Sequence, residues 1–208
     1  KELTGHIAIG HNRYSTAGGS HVDHAQPTIV GNWSIALAHN GNIPSTVALE
    51  KFLHEKQIET DNLSDSRMIA QAIGVLVKEG ASLEDAIKNT YPLMTGAFCI
   101  LIMSKDRLIA IRDECGIRPL SIATINGGFI FSSETCAFQT VGAKFMRDVL
   151  PGEMVVIDEK GIRAEQLVTP NPKMDIFEFV YFARPDSHLL GKSVYSVRRN
   201  FGVQLAKE

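Results

Sequence analysis

The chain has 208 residues, 44% of them hydrophobic and 21% charged, which are the proportions of an ordinary globular protein with one large domain and an appendage. Its 21 Lys and Arg against 23 Asp and Glu leave a net charge of −2 without a basic stripe, so nucleic-acid and membrane-surface binding are not expected. The longest apolar run, Ala97 to Met103, is far too short to cross a bilayer, and no apolar leader is visible at the start, so a cytoplasmic protein is expected.

Ile7 to His11 reads as a strand, apolar on both faces and so covered on both sides, and Ser34 to His39 reads the same way. The polar, Gly-rich stretch from Ser15 to Asp23 between them reads as a loop. Asn40-Gly41-Asn42 makes a sharp turn, and Pro44-Ser45 suits the entry to a helix over Val47 to His54. Ser64 is the N-cap of a second helix whose inner face carries Met68, Ile69, Ala72, Ile73 and Leu76. Ser82 opens a third, with Asp85 three residues on.

From Gly96 the period becomes extended. Ala97 to Met103 and Leu108 to Arg112 form a hairpin across Ser104-Lys105-Asp106. Leu120 to Ile125 and Phe129 to Ser132 flank Asn126-Gly127-Gly128, which suits a tight hairpin turn. Ser133 to Thr140 reads as a short helix, and Glu153 to Asp158 pairs with Gly161 to Gln166. Thr169-Pro170-Asn171-Pro172 is the expected domain boundary. Beyond it Ile176 to Phe182 reads as a strand, and Val194, Val197, Phe201 and Leu205 mark one face of a last helix. The blocks imply an α+β layered domain with mostly antiparallel sheets.

Three clusters carry chemistry: Arg13-Tyr14-Ser15-Thr16, His39-Asn40-Gly41-Asn42 and Ser64-Asp65-Ser66. A guanidinium grips an α-carboxylate through two parallel hydrogen bonds, a carboxylate complements an α-ammonium, and an Asn side-chain N–H beside a Gly N–H suits an oxyanion hole. Together they fit a free amino acid with a reactive carbonyl at its far end. Each has a plainer reading: a surface ion pair for Arg13, a common turn for Asn40-Gly41, a helix N-terminal acid for Asp65. Cys99, Cys115 and Cys136 form no C-x-x-C pair, which fits reduced thiols, and Cys99 reads as a buried small hydrophobe. His6, His11, His21, His24 and His39 crowd the first forty residues, but no partner stands at metal spacing and no metal is expected.

The run Gly5 to Gly18, with Ala36 to Asn42, Leu63 to Ser66, Arg112-Asp113, Gly116 to Leu120 and Ser132 to Ala137 in that order, resembles the class II glutamine amidotransferases, a family of N-terminal-nucleophile hydrolases. Tyr14-Ser15-Thr16 and Phe177 to Ser187 resemble the purine-pathway branch of that class in particular. The resemblance implies a four-layer αββα sandwich over residues 1–172, incomplete at its start, with residues 173–208 as linker and first elements of a phosphoribosyltransferase domain. It assigns Arg13 and Thr16 to the glutamine α-carboxylate end, Asp65 to its α-amino group, and Asn40 and Gly41 to the oxyanion hole. The segment from Arg13 to about His24 would be a flap hinged at Gly18 and Gly19.

In the intact enzyme, ammonia from glutamine would displace pyrophosphate from phosphoribosyl pyrophosphate to give 5-phosphoribosylamine, the first committed step of purine synthesis. A homo-oligomer is expected, with magnesium serving the phosphoribosyltransferase domain. The family's nucleophile is a cysteine at the mature N-terminus whose own α-amine is the base. Lys1 is not that cysteine, so the chain is expected to be a piece of a longer protein, inactive alone. Asp175 stands where family members with an iron–sulfur cluster carry a cysteine, so no cluster is expected, and Arg67 stands where an acid is usual. The alternatives are the glutaminase domain of a glucosamine-6-phosphate synthase type and a non-catalytic amino-acid-binding module.

Overall fold

The computed structural model describes residues 5–12, 25–30 and 35–208. Its centre is a six-stranded antiparallel sheet built from β1 (Thr28–Val30), β2 (Ile35–Asn42), β3 (Ala97–Met103), β4 (Leu108–Arg112), β8 (Glu153–Asp158) and β9 (Gly161–Gln166), in that spatial order. A second sheet holds β5 (Ser121–Ile125) between β6 (Gly128–Ser132) and β7 (Lys144–Asp148). Side chains alternate across each strand, and this divides the core in two. Leu37, Ile100, Ile102, Ile109, Ile111 and Val156 meet the helices α1 (Val47–Glu55), α2 (Asp65–Lys78) and α3 (Leu83–Thr90) on one face. Cys99, Ala110 and Val155 meet Leu120, Ile122 and Phe131 of the second sheet on the other. Each fully buried isoleucine contributes roughly 1.5–3 kcal/mol to holding these layers together. The short helix α4 (Cys136–Thr140) lies on β6 and β7, so the order of layers is helix, sheet, sheet, helix.

The helix starts follow the sequence signals. Ser64 and Ser82 accept hydrogen bonds from the N–H groups of Arg67 and Asp85, satisfying amides that no helical carbonyl reaches. At the β5–β6 turn, Asn126 and Gly127 both take positive φ, 48° and 81°, as a two-residue turn matched to strand twist requires.

Asn40-Gly41-Asn42 is not a sharp turn: it continues β2 to its end, paired with Cys99, Phe98 and Ala97 of β3. Three further expectations need correction. Ile7 to His11 is not a strand: it is in no sheet among the described residues, and its burial is one-sided, with Ile7, Ile9 and His11 half-buried and Ala8 and Gly10 exposed. Strand β7 was not expected at all. It is an edge strand with Lys144, Phe145 and Met146 exposed, so no burial alternation marks it, and its pairing with β5 is broken by a register shift at Ile122/Ala123.

The last correction concerns Ile176 to Phe182, which is helical, with a π-type turn over Glu178–Phe182. Its aromatic residues favour strands, but only Glu178 and Phe179 are buried while Phe177, Val180, Tyr181 and Phe182 face outward. Asp175 caps the turn by accepting the Phe177 N–H, and Arg198 of α5 (Val194–Leu205) donates to the carbonyls of Phe179 and Ala183 at 2.6 and 2.7 Å. Phe179, Ala183, Leu189 and Val194 close a small core of their own, beside the hairpin of β10 (His188–Leu189) and β11 (Lys192–Ser193). No helix among the described residues is long and apolar enough to cross a membrane.

Candidate active site

The last residues of β2 lie between both halves of the core. In the ladder with β3, His39 faces Ile100, Asn40 faces Cys99 and Gly41 faces Phe98. Alternation sends the His39 side chain to the helical layer and that of Asn40 to the second sheet. Phe98 is turned toward Asp113, donating its N–H to Oδ2 at 3.1 Å and accepting the Asp113 N–H at 3.0 Å. In an antiparallel ladder both backbone groups of a residue point to the same neighbour, so Gly41 and Phe98 form a non-hydrogen-bonded pair. The Gly41 N–H is therefore directed to the outer edge of β2, past Leu37, the last residue that β1 covers. The His39 N–H points the same way and donates to Gln26 Oε1 at 2.6 Å. Position 41 admits only glycine: at φ +154° a Cβ would collide with the Ala97 carbonyl oxygen and lie 2.7 Å from Phe98 Cα.

The Asn40 amide is gripped at both ends. Its Oδ1 accepts from Arg118 Nη2 at 3.1 Å, and its Nδ2 donates to Ser133 Oγ at 3.1 Å. These partners decide which end is oxygen and leave one of the two Nδ2 protons for another acceptor. Arg118 reaches the site from the loop after β4, which is fastened from inside. Buried Arg112 donates to the carbonyls of Arg118, Gly116 and Val149 at 2.9, 2.7 and 2.6 Å. Asp113 accepts the N–H groups of Cys115 and Gly116, both at 2.9 Å. Burial pushes the Asp113 carboxyl up, against the pull of these N–H donors and of Arg112.

On the helical face Asp65 is the first residue of α2, where the helix dipole favours negative charge. Its Oδ1 accepts the Ser66 N–H at 2.7 Å and the Ser66 hydroxyl at 3.2 Å, while Oδ2 lies 3.6 Å from His39 Nδ1. Ser66 Oγ is also 3.1 Å from His39 Nδ1 and accepts from Gln26 Nε2 at 3.2 Å. With the Ser66 proton given to Asp65, the arrangement suits a neutral His39 protonated at Nδ1. Burial holds the His39 pKa below its ordinary value, outweighing the upward pull of Asp65.

Residues 11–140 match the model of the glutamine amidotransferase domain. The chain belongs to that family. It is 42% identical to the amidophosphoribosyltransferase of Synechococcus elongatus over 215 aligned residues, covering 100% of this chain and 44% of the relative. The amidophosphoribosyltransferase of Bacillus subtilis is 38% identical, again over 100% of this chain and 44% of the relative. Among solved structures, the Bacillus subtilis glutamine phosphoribosylpyrophosphate amidotransferase complexed with ADP and GMP superposes with a TM-score of 0.85 at 36% identity, covering 95% of this chain and 43% of that one. The fold is thus that of the glutamine amidotransferase domain of the N-terminal-nucleophile class, and the chain spans less than half the length of the relatives it matches.

Of the residues that sequence reasoning assigned in this amidotransferase domain, Asn40, Gly41 and Asp65 all lie at the end of β2, Asn40 and Asp65 on its opposite faces. Arg13, Thr16 and the flap to His24 lie outside the described residues, as does the His21/His24 pair. His11, two residues before Arg13, is described, and its Nε2 is 3.1 Å from the His39 carbonyl oxygen. Sequence reasoning gave no role to Arg118, Ser133 or Gln26. The first two sit inside the family motifs Gly116 to Leu120 and Ser132 to Ala137, which was the available signal; Gln26 carried none. Cys99 is buried as expected, its thiol donating to the Arg118 carbonyl at 3.2 Å and pushed up to about 12 by desolvation.

Proposed function

We propose that this chain holds glutamine in an amidophosphoribosyltransferase, where the amide is hydrolysed and the ammonia is used to convert phosphoribosyl pyrophosphate into 5-phosphoribosylamine, with glutamate and pyrophosphate as co-products. In this reading Asp65 takes the α-ammonium, and Arg13 and Thr16 take the α-carboxylate end. The Asn40 amide and the Gly41 N–H stabilise the oxyanion formed when a thiolate adds to the side-chain carbonyl. Residues 1–172 would be the glutaminase domain and 173–208 the entry to the phosphoribosyltransferase domain.

The observation that carries the reading is the end of β2, where the Asn40 amide is oriented from both sides while the neighbouring Gly41 N–H turns to the outer edge. Preorganised donors of this kind cost no reorganisation as charge develops, and each is worth roughly 10²–10³ in rate. Neither Cys99 nor Cys115 substitutes for a terminal nucleophile. Cys99 is buried with a raised pKa, and burial raises Cys115 as well, whereas a nucleophilic thiol needs a depressed one. Among the described residues no group of His, Cys, Asp and Glu is set to hold a metal ion.

The test is made in the full-length natural polypeptide. Asn40→Ala should lower glutamine-dependent formation of 5-phosphoribosylamine by about 10²–10³ while synthesis from added ammonia continues. Glutamine-dependent synthesis unchanged by this substitution would refute the assignment.

A further inference from the structure

Arg118 stands where three parts of the chain meet. Its Nη2 donates to Asn40 Oδ1 at 3.1 Å, its Nη1 lies 2.7 Å from Glu178 Oε1, and its guanidinium carbon sits 5.0 Å from the centre of the Phe182 ring. The Glu178 contact is an ion pair outside hydrogen-bond geometry, with the Glu178 side chain only 7% exposed and that of Arg118 23%. Burial pushes the Glu178 carboxyl up, and Arg118 is the largest influence holding it down. The loop that delivers Arg118 is clamped by two hydrogen bonds from Arg112, to the carbonyls of Gly116 and Arg118, and Arg112 ties it to the Val149 carbonyl with a third.

We propose that Arg118 is a positioning residue for glutamine hydrolysis, which holds the Asn40 amide with its N–H group toward the reacting carbonyl and is itself held by Glu178 from the segment after the main domain. An asparagine amide can rotate by half a turn at little cost, and the flipped form would present an oxygen to a developing oxyanion, which repels it. Ser133 alone does not prevent the flip, because a hydroxyl donates as readily as it accepts. A guanidinium has donors only, so it accepts a single orientation of Asn40 as its partner. The charge near Oδ1 also polarises the amide and makes its remaining N–H a better donor. The electrostatic worth of Arg118 thus lies in the transition state, where Asn40 faces negative charge, and little in ground-state binding of glutamine.

This inference rests on the proposed role of Asn40, and the experiment separates the two. In the full-length protein, glutamate release is measured for Asn40→Ala, Arg118→Met, Arg118→Lys, Glu178→Gln and the Asn40→Ala/Arg118→Met double variant. Arg118→Met should lower kcat for glutamine about tenfold or more with KM within about twofold, and Arg118→Lys should recover part of that loss. In the double variant, removal of Arg118 should add almost nothing to the loss from Asn40→Ala, since residues acting through one another are not additive. Glu178→Gln, which keeps the shape of the turn, should give a smaller fall in kcat and supplies the test should Arg118→Met fail to fold.

A full kcat in Arg118→Met, or equal and additive losses in the double variant, would overturn the inference while leaving the Asn40 assignment in place. If Arg118→Met does not fold, an unchanged kcat in Glu178→Gln and Arg118→Lys would overturn it as well. Full activity in Asn40→Ala would remove both readings together.

Discussion

His39 Nδ1 lies 3.6 Å from Asp65 Oδ2 and 3.1 Å from Ser66 Oγ, so one imidazole on β2 fixes the first turn of α2. The Asp65 carboxylate is then held by Ser66 and His39 and remains 27% exposed, open to an incoming cation. A charge-assisted hydrogen bond to an ammonium is worth about 1.5–3 kcal/mol, or roughly ten- to a hundredfold in affinity. Asp65→Asn in the full-length protein should raise KM for glutamine by about that factor, with a smaller effect on kcat. Steady-state glutaminase kinetics check this, and an unchanged KM would remove Asp65 from the site.

The same imidazole makes stability depend on pH. Burial keeps its folded-state pKa below the ordinary 6.5, so below pH 6.5 the unfolded chain binds a proton that the folded one refuses. The contribution of neutral His39 is therefore complete above pH 6.5 and is lost as pH falls toward the folded-state value. Asp113 and Glu178, raised by burial, run the other way at lower pH, so the comparison must be made between variants. Urea titrations of wild type and His39→Gln from pH 8 to pH 5 should show the wild-type advantage shrinking with acid. A constant difference would contradict the burial of a neutral imidazole.

The packing of β2 against β3 requires glycine at position 41. A Cβ there meets the Ala97 carbonyl and the Phe98 Cα, which are strand backbone and cannot move aside. Gly41→Ala should cost about 3 kcal/mol, at the upper end for overpacking, and lower Tm by roughly 6–12 °C in a domain of this size. Differential scanning calorimetry gives the answer, and a shift under 2 °C would show that β2 and β3 separate more easily than their ladder implies.

The thiols should differ in reactivity. Cys99 is buried under the Arg118 carbonyl with a pKa pushed up to about 12, so at pH 8 almost none of it is thiolate. Iodoacetamide followed by peptide mass mapping should leave Cys99 unmodified in the native protein and modify it in urea, with half-buried Cys115 reacting ahead of it. Native labelling at Cys99 would mean that the second sheet lifts away from the first on the labelling timescale.

Much of this molecule was legible in local chemistry. Serine caps at 64 and 82, the Asn126-Gly127 turn and the strands Ala97–Met103 and Glu153–Asp158 are signals a few residues long, and the folded chain keeps them because each agrees with its surroundings. Asn40, Gly41 and Asp65 were assigned because their motifs occur in the family's order. Where burial did not repeat with strand or helix period, the reading failed. Exposed β7 left no alternation to read, and the aromatic segment from Ile176 to Phe182 has the composition of a strand but takes its helical form from Asp175 and Arg198.

Sequence alone determined which residues could grip an amino acid, since that depends on side-chain type and short-range order. Only the tertiary structure decided how Asn40 is oriented and what orients it. Arg118 is 78 positions away along the chain and Ser133 is 93, and no local period relates residues so far apart. The antiparallel ladder and the clamped loop after β4 bring them together, because directional hydrogen bonds are satisfied in space and leave no trace in spacing.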